Sequence, residues 1–170
     1  MTIDNYQLSI IEISKKIILS MNELTWQYKK FNELDASELY SILKLRSKVF
    51  VVEQDCVYLD MDDKDEQSFH LCGWDKNNLL AYARILPPGL AFEEASIGRV
   101  VTDPQYRKKG SGRVLMGLAI EKTLTQFGVS TIKIGAQLYL FSFYSSLGFK
   151  TSGPEYLEDG IPHIEMTLSK

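Results

Sequence analysis

Apolar and polar positions change period along the chain, and the changes mark its elements. Leu24 to Phe31 alternates as a short strand. Asp35 with Glu38 three residues on is a capping-box pair, and behind it Leu39, Ile42, Leu43, Val49 and Phe50 recur at helical spacing. A helix is therefore predicted from Ala36 to about Val51. The same spacing puts Arg46 inside the apolar stripe, where a cation is costly unless a carboxylate meets it. Strands follow at Phe69 to Trp74 and Leu79 to Leu86, joined by the turn-forming DKNN, and after the Pro87-Pro88-Gly89 break at Ala95 to Thr102. A strongly apolar helix runs from about Gly110 to Phe127 and stops at Gly128. A strand at Ile132 to Ala136, a short helix at Leu138 to Leu147, a strand from Phe149 and an alternating strand at Ile161 to Leu168 complete the order. The pattern is α/β, with a mixed sheet and helices on its faces.

At 170 residues the chain has the length of one domain. A net charge of −3 supplies no global basic field, so nucleic acid is not an expected partner. Cys56 and Cys72 are the only cysteines, which fits reduced thiols in a cytoplasm. Neither has a Cys or His at zinc-ligand spacing, so no metal is expected. The first twenty residues are rich in isoleucine, but Glu12, Lys15 and Lys16 interrupt them. They read neither as a membrane span nor as a signal peptide. The expectation is an N-terminal extension over 1–22, either an amphipathic arm or leader from a misplaced start, ahead of a domain over 23–170.

The candidate chemistry begins at Tyr106 to Gly112, YRKKGSG, placed between a strand and a helix. Small residues there let backbone N–H groups approach an anion, and the helix N-terminus adds partial positive charge. A Walker A loop is excluded by Arg113 after Gly112, and a dinucleotide fingerprint by Leu115 in place of a third glycine. What is left is Arg107-x-x-Gly110-x-Gly112. Nothing in the chain resembles a Ser-His-Asp or Cys-His arrangement, so no acyl-enzyme is expected.

That spacing resembles the pyrophosphate loop of the GNAT (Gcn5-related) N-acetyltransferases, Gln/Arg-x-x-Gly-x-Gly/Ala. Phe143 to Phe149, FYSSLGF, resembles the same family's FYxxLGF segment, about thirty residues further on. LRSKVFVVEQ, AYARI, IGRV, GAQ and EDGIPHIEM are similar to the ElaA-type subfamily. The resemblance spans about Thr25 to Leu168 and implies a mostly antiparallel twisted sheet with helices on both faces. It implies acetyl-CoA as cosubstrate, its pantetheine arm on the backbone of Val100, Val101 and Thr102. Its pyrophosphate would rest on Arg107, Lys108, Lys109, Gly110, Ser111, Gly112 and Arg113. Gln137 stands where the family often has Asn, and Tyr144 matches the acid that serves the leaving thiolate.

The acceptor is an unidentified amine, of a small molecule or a peptide. Candidate groups are His70 and Glu53 as catalytic residues, and Arg46, Asp62, Asp65 and His163 as substrate-binding ones. His163 should face opposite to Ile164, Met166 and Leu168. Seven acids between Glu53 and Glu66 form either a solvated loop or an electronegative pocket. Glu53, two turns beyond Arg46, and the acids that follow are the arginine's nearest candidate partners. Two other function classes compete: a noncatalytic acyl-CoA-binding module and a generic nucleotide-phosphate binder. No membrane association is expected, and a homodimer is left open.

Overall fold

The computed structural model describes residues 24–107 and 110–170. The predicted extension over 1–22, and Lys108 and Lys109, lie outside the described residues. Seven strands form one sheet: β1 (Thr25–Lys30), β2 (Phe69–Asp75), β3 (Asn78–Leu86), β4 (Ala95–Thr102), β5 (Thr131–Gln137), β6 (Lys150–Glu158) and β7 (Ile161–Ser169). Their spatial order is β1-β2-β3-β4-β5-β7-β6. Every neighbouring pair is antiparallel except β4 with β5. Helix α1 (Ala36–Arg46) covers one face, and α2 (Ser111–Phe127) with the short α3 (Phe141–Ser145) covers the other. This is the mostly antiparallel, two-sided sheet that the sequence implied.

Strand alternation assigns the two cores. Ala81, Ala83 and Ile85 of β3 pack with Leu115, Met116, Ala119 and Ile120 of α2, whereas Tyr82 packs with Ile42, Leu45 and Val49. Strand β4 breaks the alternation. Ile97 belongs to the α2 core and Val101 to the α1 core, although a regular strand would put residues four apart on one face. The register explains this: Tyr82 pairs with Val101 but Arg84 with Gly98, so Arg99 and Val100 together oppose Ala83. Arg99 carries the bulge at φ 50°, an uncommon conformation for a residue with a side chain.

The first helix has the predicted extent but not the predicted winding. After Arg46 it widens into π-helical turns over Ser47–Glu53, with Gln54 N–H bonded to the Val49 carbonyl at 3.1 Å. Wide turns lag the roughly 100° per residue of an α-helix. Glu53 is thereby carried off the buried stripe into solvent.

Candidate active site

Strands β4 and β5 pair at only two positions, Ala95 with Ile132 and Ser96 with Lys133. Beyond Ser96 they part, leaving the β5-facing backbone edge of β4 without a strand partner. A cleft of about 770 Å³ fills the split, and Val100, Val101 and Thr102 line it. Its far end is the start of α2. Gly110 caps that helix at φ 79°, a left-handed conformation glycine adopts freely, and no side chain caps the first turn. A 17-residue helix thus points an uncapped N-terminus into the cleft, together with Ser111 and Gly112. A Cβ on Gly112 would reach Phe143 at 3.9 Å, so the small residue keeps this corner open.

Arg107 and Arg113 stand at the same end, both already engaged. Arg107 forms a two-pronged pair with Glu53, Nη2 to Oε2 at 2.9 Å, and Arg113 donates to Ser146 Oγ at 2.8 Å. Glu53, a candidate catalytic group, is thus half of an exposed ion pair and not a cleft-wall base.

Tyr144 enters the cleft from the α2 side. It is 6% exposed and meets Phe143 and Phe149 edge-on, at 5.2 and 6.0 Å between ring centres. Burial pushes its phenol well above the ordinary value, so it is a neutral donor through the physiological range. Gln137, at the end of β5, exchanges amide hydrogen bonds of 3.1 and 3.2 Å with Gln54. This pair joins the π-helical segment to the far side of the split.

The acidic run divides: Glu53, Asp55, Asp63 and Glu66 are exposed, as a solvated loop would leave them, and the other three turn inward. Asp60, Asp62 and Asp65 fold inward onto three arginines. Arg46, with no exposed surface, donates to Asp60 Oδ2 and Asp65 Oδ1, both at 2.7 Å, and to the Asp60 carbonyl at 3.0 Å. Arg84 holds Asp62 with its two terminal nitrogens, at 2.8 Å for Nη2, and Asp65 through Nη1 at 2.9 Å. Arg99 reaches Asp60 at 2.8 Å. Burial works to raise the carboxyls of Asp62 and Asp65. The hydrogen bonds and charges of the arginines outweigh it and hold both below the usual range.

Several candidate roles change on this geometry. Arg46 does meet carboxylates, as its place on the apolar stripe required, but its partners are Asp60 and Asp65 and not Glu53. Fully enclosed, it offers nothing to an acceptor. Asp65 likewise lies behind the cleft wall, and of the seven acids from Glu53 to Glu66 only Asp62 lines it. His70 is 1% exposed: Nε2 donates to the Asp65 carbonyl at 3.1 Å, and Nδ1 accepts from Tyr82 at 2.9 Å. With both nitrogens used and burial lowering its basicity, it is a structural histidine and not a base. His163 does line the cleft, on the α1 face.

The sequence reading missed Arg84, Arg99, Gln54, Tyr156 and Glu158 as site groups. The arginines did leave a signal: AYARI and IGRV each carry a cation within an apolar strand, and the acidic run supplies matching charge. Gln54 left none.

The GNAT acetyltransferase domain model matches residues 35–170. UPF0039 protein C11D3.02c of Schizosaccharomyces pombe is 47% identical over 150 residues, covering 87% of this chain and 99% of that protein. Protein ElaA of Escherichia coli is 41% identical over 145 residues, 84% of this chain and 95% of its own. Among solved structures, an acyl-CoA N-acyltransferase from Pseudomonas aeruginosa superposes with a TM-score of 0.83 at 38% identity, covering 86% of this chain and all of the other. The chain belongs to the GNAT acetyltransferase family, in its ElaA-type branch.

Proposed function

We propose that the protein transfers an acetyl group from acetyl-CoA directly to an amine. The observation that carries this is the split between β4 and β5, open at its far end onto the uncapped start of α2. An extended ligand with a peptide-like arm and an anionic end fits such a slot. Val100 to Thr102 would bond the arm as an added strand would, and the backbone from Gly110 to Gly112 would take the pyrophosphate. The acyl-CoA named for the Pseudomonas aeruginosa neighbour supports this choice of donor.

In this reading the amine adds to the thioester carbonyl, and a backbone N–H near Val101 stabilises the developing oxyanion. The carbon–sulfur bond then breaks. Tyr144, which lines the cleft, would hydrogen-bond the leaving sulfur. A free phenol at about 10 is already a weaker acid than a thiol at about 8.5. Burial widens that gap, so Tyr144 stabilises the thiolate as a donor more than it gives up its proton. A cytoplasmic site of action is supported by Cys56 and Cys72 both being free thiols.

Calorimetric titration with acetyl-CoA, ATP and NAD tests the cofactor. Thiol release from acetyl-CoA with a panel of primary amines tests the reaction. Binding without amine-dependent release would leave a noncatalytic acyl-CoA module, and tighter binding of ATP or NAD than of acetyl-CoA would overturn the reading.

A further inference from the structure

Resting on that amine-transfer reading, we infer that His163 is the base that takes the acceptor's proton, through Nε2. Its Nδ1 lies 2.8 Å from the Ile161 carbonyl oxygen. A carbonyl only accepts, so Nδ1 carries the hydrogen and the neutral ring keeps its lone pair on Nε2. No described residue donates to that nitrogen. The side chain is 9% exposed and lines the cleft, so a buried ring with one unused nitrogen looks into the split.

Its height along the sheet is that of the reacting carbonyl. His163 pairs with Gln137 across β5 and β7. Carrying the parallel register of Ser96 with Lys133 forward four residues, and allowing for the extra residue of the β4 bulge, sets Gln137 level with Val101. His163 thus stands across the split from the β4 segment assigned to the thioester, on the α1 face. Tyr144 reaches the cleft from the α2 side. Base and thiolate donor thus reach the split from opposite faces of the sheet, which keeps the incoming amine apart from the leaving sulfur.

The neighbours hold the ring and leave Nε2 unblocked. Tyr156 of β6 stacks on it, 5.6 Å between centres and 29° between planes. Tyr156 can lie there because its hydroxyl crosses over Gly135, where a Cβ would come within 2.5 Å. Burial and the charge of Glu158 push that hydroxyl up to about 12, so it stays protonated. The other charged groups near the ring are Asp159 in the β6–β7 turn and Glu165, next on the same face of β7 and tied to Lys133 at 2.9 Å. From β5 and the π-helical segment the uncharged Gln137 and Gln54 face this stretch. Glu158 and Asp159 line the same end of the cleft with no ion-pair partner among the described residues, a setting that draws an ammonium toward the ring.

The step balances. The amine nitrogen bonds to the acyl carbon, its proton passes to Nε2, the carbon–sulfur bond breaks with the electron pair on sulfur, and the imidazolium returns its proton to the thiolate or to water.

Two variants test the role. His163→Asn keeps an N–H where Nδ1 bonds Ile161, and His163→Gln keeps a polar atom where Nε2 sits; neither can act as a base. With the best amine of the panel both should lose about 10²-fold in kcat, and with a weakly basic amine, neutral across the pH range, both should lose the acid limb of the kcat/KM profile, while acetyl-CoA affinity and melting temperature hold. A kcat within about threefold of wild type, or an acid limb that persists, overturns the inference, as does loss of acetyl-CoA binding in a folded variant. Should neither variant fold, wild type decides: with a weakly basic amine, neutral across the pH range, an acid limb must come from the protein, and a flat profile overturns the role. A wild-type protein that releases no thiol with any amine fails earlier, at the proposed reaction itself.

Discussion

Replacing Arg46 by methionine tests the ion cluster behind the cleft. The change keeps an unbranched chain of similar length and removes three hydrogen bonds, two to carboxylates and one to a backbone carbonyl. Breaking a buried ion pair from one side costs about 3–5 kcal/mol, because the charge left behind is uncompensated. Here Asp60 keeps Arg99 and Asp65 keeps Arg84, so the low end, about 3 kcal/mol, applies. For a chain of 170 residues each kcal/mol is worth roughly 2–4 °C, which gives a fall in melting temperature of about 6–12 °C. The acid side sharpens the test. Asp62 and Asp65 are depressed in the folded state, so their contribution is present above the unfolded carboxylate value of about 3.9 and is lost as pH falls through the folded values. Without Arg46 the folded value of Asp65 rises, and acid unfolding moves to higher pH. Circular dichroism against temperature and against pH measures both, and high salt should shrink the difference little because the pair is buried. A melting temperature within 2 °C of wild type, with an unmoved acid limb, would refute the reasoning.

Tyr144→Phe should lower kcat about 10²-fold while acetyl-CoA affinity, read by calorimetry, stays within a few-fold. Because burial raises Tyr144, its donor form persists past pH 10, so kcat with a saturating amine should show no descending limb between pH 7 and 10; a limb there that Tyr144→Phe abolishes would contradict its neutral state. Gly112→Val should fold yet weaken acetyl-CoA binding at least tenfold, since the branched side chain enters the corner beside Phe143; unchanged affinity would remove the loop from the pyrophosphate site. Glu53→Gln should shift the melting temperature by less than about 3 °C, as expected for an exposed pair worth no more than about 1 kcal/mol.

Local chemistry was enough to read most of the chain. Apolar runs bounded by turn residues placed the strands, the Asp35–Glu38 box started α1, and Gly128, at positive φ, ended α2; the helix predicted from Leu138 to Leu147 is a 3-10 turn followed by α3, which stops at Ser145 ahead of Gly148. The glycine loop was legible from its small residues between a strand and a helix, and the Tyr144 segment from its resemblance to a family motif. Arg46 on an apolar stripe required an acid, which the structure supplies. The sequence could not say which acid, because that depends on the π-helical turns that rotate Glu53 outward and on a loop that folds back to bring Asp60 and Asp65 beneath the helix. Nor could it rank the two histidines. Both sit in strands, and each role is decided by what the ring nitrogens meet: for His70, Tyr82 and the Asp65 carbonyl, and for His163, one carbonyl and an open cleft. Tertiary packing brings Tyr82 and the Asp65 carbonyl to within about 3 Å of the His70 ring, whereas His163 bonds its own strand two residues back and differs by the cleft that packing opens beside it.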